Sequence, residues 1–498
     1  MEIASVWRGT SRASRFDALA TTNLKVDVAI VGGGITGCTL ALQLVEQGKS
    51  VCLLEAHEIG YGSTGGSTGN LYGTVSGGLA AIQNKWGEDV LRGVVQARTT
   101  AVNDIERRAN VLGVDFGWRR CPQYLYPLSA DARETISKEH EASLLAGLPA
   151  RMEDELPVQW AQGPALVIEN QAQIHPLRYV RALALQAQRQ GCLVHERSAV
   201  IEVDHGKRQV CTANGTVTAD HIVLATHSPI GFHSTQAGMV VHREYGIAVC
   251  LGKGSCPPGI FWGRGDKSLS VRSLEVDGNQ YVLIIGEDQK MGQHDAKACL
   301  GELEAKARET FDIDQVAYRW SAQNFQSPDK LPYIGQDISG NYIATGFGTD
   351  GLVYGTLAGS LIADEILGRT NSASHLFRAS RVAPIKAAKG IAEEVGTMVK
   401  SLVKDYLTER QEVEVSKLQP GTGALVEIDG TSVAAYRDAD GAIHAVSSVC
   451  THLGCKVHWN SVETSWDCPC HGSRFAIDGS VLEGPAIKAL DRKYAVEP

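Results

Sequence analysis

Residues 26–55 restrict the possible folds of this chain more than any other segment, because two apolar runs flank a glycine-rich turn there. The first run, residues 26–31, is short and apolar, which is typical of a buried parallel strand. Three glycines follow it in the spacing Gly-x-Gly-x-x-Gly, and they are Gly32, Gly34 and Gly37. A helical pattern comes next, and the second apolar run, residues 50–54, ends at Glu55. This order predicts a βαβ unit and therefore an α/β domain.

The glycine turn also predicts a ligand. Glycines let the backbone approach a pyrophosphate at the N-terminus of the helix, where unpaired N–H groups and the helix dipole favour an anion. Glu55 stands where a carboxylate can bind ribose hydroxyls. Because strand, helix and acid all occur in order, we expect a dinucleotide here rather than a purely structural turn.

A second set of glycines has the same spacing near residue 350: Gly346, Gly348 and Gly351. No second strand and no terminal acid follow the helix predicted at residues 352–367. We therefore interpret this set as a second helix N-terminus directed at the same cofactor, and not as a separate nicotinamide site. Its dipole would favour electron density on the ring of a reduced redox cofactor.

Two cysteines and two histidines near the C-terminus have the spacing of metal ligands: Cys450, His452, Cys468 and His471. A structural zinc site uses the same kinds of ligand. A Rieske [2Fe–2S] cluster is the other option, with both cysteines on one iron and both histidines on the other. The order Cys-x-His and Cys-x-x-His favours the Rieske cluster, because zinc sites are more often built from Cys-x-x-Cys halves.

Charge and composition exclude several classes of protein. The chain has 47 Lys and Arg against 56 Asp and Glu, a net charge of −9, so it is poorly suited to bind nucleic acid. It contains no uninterrupted apolar run of the length that spans a membrane, so we expect no transmembrane segment. Residues 1–15 mix arginine, serine and threonine without an apolar centre, so we expect no signal peptide and a cytoplasmic location.

Residues 24–370 resemble, in pattern, the D-amino-acid oxidase/glycine oxidase superfamily of FAD enzymes. The matching positions are residues 28–37, Glu55, Ser63, Thr64, Ser67, Trp320, Ser321, Ala322, Pro328, Asp329, residues 332–335 and residues 342–367. The resemblance implies an extended FAD in a Rossmann-type domain, covered by a sheet-based substrate domain. It also implies that FAD is non-covalent, because Ala322 occupies the place where some members have a flavin-linked cysteine.

The same resemblance assigns several cofactor contacts. It places Ser63 and Thr64 in the glycine-rich stretch beside the cofactor, the backbone of Val200 at the adenine, and Ala225 near the flavin. Three residues line the flavin ring: Gly348, Gly351 and Leu352.

Substrate contacts are less well determined by the sequence. Arg272, His242 and Tyr245 lie in segments that should face the flavin, and an arginine there would suit a substrate carboxylate. We favour the interpretation that each of the three is a structural residue of the sheet rather than a substrate contact. We assign no catalytic base, because many members of the family oxidise amines without one.

The C-terminal runs Cys-Thr-His-Leu-Gly-Cys (450–455) and Cys-Pro-Cys-His-Gly-Ser (468–473) resemble the Rieske domains of quinol-oxidising cytochrome complexes. The resemblance implies a disulfide between Cys455 and Cys470, and a hydroxyl of Ser473 that bonds a cluster sulfide. Phe475 stands where high-potential members have tyrosine, which implies a lower potential. The Asp-x-x-His-x-x-x-x-His helix of ring oxygenases is absent, which argues against that class.

We therefore expect an α/β fold, with a Rossmann-type FAD-binding domain and a sheet-based substrate domain, plus a small all-β Rieske domain. The three parts are an FAD-dependent oxidoreductase region (1–370), a helical connector (371–410) and the Rieske domain (411–498). In the first part, FAD-binding segments (24–84, 160–230, 325–370) alternate with substrate-domain segments (85–159, 231–324). The connector contains an amphipathic pattern, which predicts a helix packed on a neighbouring domain or, alternatively, docked on a membrane surface or a partner.

The expected activity is FAD-dependent oxidation of the C–N bond of an amine or amino acid. Electrons would then pass singly through the Rieske cluster to an external quinone, cytochrome or ferredoxin-like acceptor. Two other functions stay open from the sequence: an electron-transfer reductase fed by NAD(P)H, and a non-catalytic redox sensor.

Overall fold

The computed structural model describes residues 3–381, apart from residues 14, 21–22, 237, 266 and 293, and residues 415–496, apart from residue 429. The connector helix predicted within 371–410 lies almost entirely outside the described residues. The described α-helices are α1 (Val6–Gly9), α2 (Ile35–Val45), α3 (Leu79–Trp86), α4 (Glu88–Leu112), α5 (Ala132–Leu145), α6 (Pro176–Arg189), α7 (Ala296–Thr310), α8 (Gly351–Ile366) and α9 (Ser374–Phe377). Among them, none is long and apolar enough to cross a bilayer.

Two large sheets are built from the strands before residue 350. These strands are β1 (Leu24–Val31), β2 (Val51–Leu54), β3 (Asn70–Leu71), β4 (Arg119–Pro127), β5 (Ala150–Glu153), β6 (Ala165–Gln173), β7 (Leu193–His195), β8 (Val200–Asp204), β9 (Gln209–Thr212), β10 (Thr216–Leu224), β11 (Val240–Leu251), β12 (Ile260–Arg264), β13 (Leu269–Val276), β14 (Asn279–Lys290), β15 (Ile313–Gln326), β16 (Tyr333–Gln336) and β17 (Tyr342–Thr345).

The first sheet has the order β16-β17-β10-β1-β2-β7, with β9 paired to β10 and β8 paired to β9. Strands β1, β2, β7, β10 and β17 run parallel, and the buried end of β1 is continuously apolar because helices cover the sheet. Helices α2 and α8 pack closely through small residues: a Cβ added at Gly359 would lie 3.0 Å from the side chain of Thr39. The predicted βαβ unit, β1-α2-β2, is confirmed.

The second sheet has the order β15-β11-β14-β13-β12-β4-β6-β3, with β5 beside β6. It includes β6, although the sequence analysis assigned residues 160–230 to the FAD-binding part. That boundary is wrong at its start, because β6 pairs antiparallel with β4, for example Val167 opposite Tyr124. The long strands β11 and β15 carry the face of this sheet that turns towards the first domain.

The C-terminal domain is a small all-β unit, as expected. Its strands are β18 (Thr422–Ile428), β19 (Thr431–Arg437), β20 (Ile443–Ser447), β21 (His458–Asn460), β22 (Ser465–Asp467), β23 (Arg474–Phe475), β24 (Val481–Glu483) and β25 (Arg492–Val496). They form two four-stranded sheets, β18-β19-β20-β25 and β21-β22-β23-β24. The loops before β21 and after β22 carry the cysteine and histidine motifs, and buried Trp466 and Phe475 pack beneath them.

Candidate functional site

A cavity of about 270 Å³ opens at the carboxyl ends of β1, β2, β10 and β17, between the two large sheets. This is the edge at which parallel α/β sheets usually bind their ligands. Most of the residues expected to hold the cofactor line it: Gly32, Gly34, Glu55, Ser63, Thr64, Val200, Ala225, Gly348, Gly351 and Leu352.

The glycine turn is held by close backbone contacts. Gly32 has φ +111°, and a Cβ added there would lie 2.4 Å from the carbonyl oxygen of Ala225. A Cβ at Gly37 would lie 2.0 Å from the carbonyl oxygen of Gly32. Gly37 therefore allows the helix to pack on its own turn, and it is not among the residues that line the cavity.

Glu55 is fixed at the end of β2 by two backbone donors. The N–H of Gly33 donates to Oε2 at 2.7 Å, and the N–H of His57 donates to Oε1 at 2.9 Å. Burial raises the pKa of this carboxyl above its ordinary value, against the opposing effect of those hydrogen bonds. The lone pairs left on its oxygens face the cavity that it lines, where ribose hydroxyls could donate to them.

The serine and threonine of the glycine-rich stretch link the cavity to three parts of the chain. Thr64 Oγ1 accepts from the N–H of Ile35 at 3.1 Å, in the first turn of α2. Ser63 Oγ lies 2.9 Å from Nδ1 of His227 and donates to the carbonyl oxygen of Gln323 at 3.2 Å.

A second helix N-terminus reaches the same cavity, as the sequence analysis predicted. The residue that precedes α8, Asp350, makes no side-chain cap, and a Cβ at Gly351 would meet nothing within 4 Å. The first N–H groups of α8 therefore stay open to the cavity. Two helix N-termini that face one space suit a cofactor that has both a pyrophosphate and an electron-accepting ring.

The buried polar atoms of the cavity fit such a cofactor and its substrate. Asn324 is 5% exposed, and neither its Nδ2 nor its Oδ1 has a hydrogen-bond partner among the described residues. Within the described part of the chain, Oε1 of Gln323 also has no hydrogen-bond partner. Buried amides are seldom left without partners, so these groups are suited to bind a ligand that fills the cavity.

The substrate candidates are distributed differently from what we expected. Arg272 donates to the carbonyl oxygens of Gly69, Ile174 and Ser273 and is buried under Trp7, so it is a structural residue. His242 does not line the cavity, and its ring pairs with Asp288 at 3.0 Å.

The third candidate, Tyr245, borders the cavity, but its ring packs in the apolar core on the other face of the sheet. The cavity wall holds instead an acid that the sequence analysis missed, Glu244. The alternation of side chains along β11 could have indicated it, because His242 and Glu244 share one face.

The predicted cluster ligands meet in the C-terminal domain. The rings of His452 and His471 lie 4.9 Å apart between centroids. Both ring nitrogens of His452 and Nδ1 of His471 are buried without a hydrogen-bond partner among the described residues. Burial lowers the pKa of His471 to about 4, so its imidazole is neutral and has a lone pair to offer a metal. The thiol of Cys468 hydrogen-bonds that of Cys450, which brings the two sulfur ligands together.

The other two cysteines of this site are joined, as the resemblance implied. Sγ atoms of Cys455, Cys468 and Cys470 lie within 4.8 Å of one another, and Cys455 and Cys470 form a disulfide. Cys468 is therefore left free to bind metal. Ser473 Oγ accepts from the N–H of Ala486 at 3.1 Å and hydrogen-bonds the sulfur of Cys450. These residues fit a [2Fe–2S] cluster with two sulfur and two nitrogen ligands.

The C-terminal domain completes the wall of the first cavity. Residues 481–487 line it, apart from Pro485. The carbonyl oxygen of Leu482 lies 3.3 Å from Nε2 of His57, and the N–H of Gly231 donates to the carbonyl oxygen of Pro485 at 2.9 Å. Gln323, which lines the cavity, donates to the carbonyl oxygen of Gly472, the residue after His471, at 3.2 Å.

A buried ionic network fastens this domain to the second sheet. Arg243, on β11, pairs with Glu463, and Arg474 pairs with the same carboxylate at 2.5 Å. Arg474 also lies 3.2 Å from Asp467 and 3.5 Å from Glu483. All of these side chains are less than a fifth exposed, so little water screens the network.

We expect Glu463→Gln to loosen the C-terminal domain. The change removes the carboxylate that two buried guanidinium groups share, and breaking such a pair costs roughly 3 kcal/mol. Urea unfolding followed by release of flavin fluorescence measures the loss. Glu88→Gln, which breaks an exposed pair with Arg92, is the control and should change stability by less than about 0.5 kcal/mol. Equal effects of the two changes would contradict the role given to the network.

Comparison with known proteins agrees with both sites. The family of FAD dependent oxidoreductases (DAO) matches residues 27–365, and the Rieske [2Fe-2S] domain matches residues 410–494. The chain is 32% identical to the Rieske 2Fe-2S iron-sulfur protein YhfW of Bacillus subtilis (strain 168). The match covers 97% of this chain and 96% of that protein. It is 26% identical to gamma-glutamylputrescine oxidoreductase of Escherichia coli (strain K12), over 71% of this chain and 86% of that one.

A solved structure shares the fold of the larger part. Glycine oxidase from Geobacillus kaustophilus superposes with a TM-score of 0.61 at 18% identity, covering 72% of this chain and all of that one. The chain belongs to the FAD dependent oxidoreductase family and carries a C-terminal Rieske [2Fe-2S] domain.

Proposed function

We propose that this protein oxidises the C–N bond of an amine or amino acid and delivers the electrons, through its Rieske domain, to an external acceptor. The acceptor would be a quinone, a cytochrome or a ferredoxin-like protein. The observation that carries this proposal is the shared wall: Gln323 lines the flavin cavity and donates to Gly472, next to the cluster ligand His471. One side chain thus connects the wall of the cavity to the loop that carries a predicted cluster ligand.

The residues of the cavity would bind FAD and orient its ring. The N-terminus of α2 and Glu55 would hold the phosphates and the ribose, and the open N-terminus of α8 would lie against the ring. FAD, when bound, removes a hydride from the carbon next to the amine nitrogen. Phe347 and Leu352, both buried, border this space and would keep water from it.

The C-terminal domain would supply the outlet. A Rieske cluster, when bound, carries one electron at a time. His452 and His471 would hold one iron, Cys450 and Cys468 the other, and the ionic network around Arg474 would keep the domain docked on the cavity. An electron-accepting domain that shares a wall with the flavin cavity suits a dehydrogenase that delivers its electrons to a partner.

The test is anaerobic mixing of the purified holoprotein with a panel of amines and amino acids. We expect one of them to bleach the flavin absorbance, and the reduced Rieske EPR signal then to appear. NADH is the control and should do neither. Bleaching by NADH alone would replace the proposal with an electron-transfer reductase. Flavin bleaching with a cluster that stays oxidised would refute the internal transfer.

A further inference from the structure

A second cavity of about 180 Å³ adjoins the first on the side of Gly348. The two cavities share five residues: Glu244, Ile285, Phe347, Gly348 and Thr349. Since Gly348 is expected to line the flavin ring, this second space is where a substrate could stand against the ring. The polar groups that line this second cavity therefore indicate which kind of substrate it could bind.

Three carboxylates border this second cavity, and two of them already have partners. Asp288 accepts from His242 at 3.0 Å. Asp350 accepts from the N–H and the hydroxyl of Ser76 at 2.9 and 3.0 Å. The carboxylate of Glu244 has no hydrogen bond or ion pair to any residue that the structure describes, and Glu244 lines both cavities.

A second unpartnered side chain lies beside it. In the pairing of β11 with β15, Glu244 stands opposite Ala322 and His242 opposite Asn324, so Glu244 and Asn324 are diagonal neighbours on one face of the sheet. Asn324 is 5% exposed, and its two amide atoms have no hydrogen-bond partner in the part of the chain that the structure describes. A negative acceptor next to a buried amide forms a site for a ligand that donates hydrogen bonds.

We propose that Glu244 is the residue that binds the amine nitrogen of the substrate, as an ammonium ion, with Asn324 hydrogen-bonding beside it. This inference rests on the proposed function. The carboxylate would accept one proton from the ammonium, which gives a carboxylic acid and a neutral amine. The nitrogen lone pair so exposed is what the carbon needs when it gives up its hydride and the C=N bond forms.

The charges around Glu244 agree with a proton transfer between its carboxylate and an ammonium ion. Burial, together with the charges of Asp288 and Asp350, raises the pKa of Glu244 to about 8. Arg264 also borders this cavity, but it donates to the carbonyl oxygen of Ser76 and stacks over Trp262. Lys330 and Tyr354 also line this cavity. Burial raises the pKa of Tyr72 well above its ordinary value and also raises that of Tyr354, so neither phenol competes with Glu244 for a proton near neutral pH. Glu244 is thus able to gain or lose a proton near neutral pH.

The experiment is calorimetric titration of the holoprotein with choline, a permanent cation whose nitrogen has no proton or lone pair. The reference ligand is 3,3-dimethylbutan-1-ol, its uncharged isostere. We expect choline to bind more tightly than the alcohol, and Glu244→Gln to weaken choline about ten- to hundredfold while leaving the alcohol unchanged. Flavin content and absorbance should be those of the unchanged protein.

The pH dependence of choline affinity shows whether Glu244 contacts the cation through its charge or has only a structural role. Choline affinity should rise with pH through about 8 as Glu244 ionises, and the rise should be absent in Glu244→Gln. Asp288→Asn is the matched variant: it removes a neighbouring negative charge, so the same rise should move to lower pH.

Unchanged choline affinity in Glu244→Gln, or a loss of flavin with no change in cation binding, would overturn the inference. Because choline cannot be oxidised at a C–N bond, this result does not depend on finding the substrate. A holoprotein that binds choline through Glu244, yet is reduced by no amine, would support the cation subsite and refute the proposed function alone.

Discussion

The change Cys468→Ser is expected to remove the iron–sulfur cluster and to leave the flavin site working. Cys468 is 1% exposed and hydrogen-bonds Cys450, the other predicted sulfur ligand. The neighbouring residues Cys455 and Cys470 form a disulfide. No further described thiol at the site can therefore replace Cys468. Turnover with an external acceptor should fall at least about 100-fold, because even residues that only support a metal ligand are worth 10- to 100-fold. The EPR signal and the bound iron should disappear.

Flavin bleaching by the substrate under anaerobic conditions should be unchanged in this variant. Cys299→Ser is the control, because Cys299 is a buried, unpaired cysteine of α7 far along the chain from the cluster motifs. It should keep both the iron and the turnover. If Cys468→Ser kept full turnover with the acceptor, electrons would leave from the flavin directly, and the Rieske domain would not be the outlet.

The second large effect is expected at the glycine turn. Gly37→Ala places a Cβ 2.0 Å from the carbonyl oxygen of Gly32, and both atoms belong to backbone that cannot rotate away. The turn and the first residues of α2 must therefore move apart, at a cost of about 3 kcal/mol. FAD affinity should fall at least about tenfold with it, because the same N–H groups form the predicted pyrophosphate site.

Gly301→Ala is the matched change, since Gly301 also lies inside a helix, α7, and a Cβ there meets nothing within 4 Å. It should stabilise the protein by roughly 0.5–1 kcal/mol, the usual gain of alanine over glycine in a helix. Thermal melts and flavin titration of the two apoproteins measure both effects. Similar melting temperatures for the two variants would show that the glycine turn tolerates a side chain.

Much of the site was predictable because its parts are local in sequence. The run from β1 to Glu55 needs only strand, turn and helix patterns, and the positive φ of Gly32 explains why glycine stands there. The cluster ligands were predictable because few residue types bind iron, and their spacing within two short loops restricts the geometry. Pairing of Cys455 with Cys470 followed from the resemblance of those loops to known Rieske domains.

The sequence did not reveal which side chains of the long strands line the cavity. Arg272 has the charge expected of a substrate contact, yet Trp7 and the turn at Gly69 cover it. Glu244 carries no motif, and only the pairing of β11 with β15 brings it beside Asn324.

The sequence by itself determined that this protein has a dinucleotide turn, a paired Cys/His cluster site and two kinds of domain, because each follows from residues close together in the chain. The tertiary structure alone decided that residues 481–487, apart from Pro485, line the first cavity, that Arg243 and Arg474 share Glu463, and that Glu244 lines both cavities. Arg243 and Glu463 are 220 positions apart, and the pairing of β11 with β15 determines where Glu244 lies. No pattern of neighbouring residues in the sequence predicts these contacts.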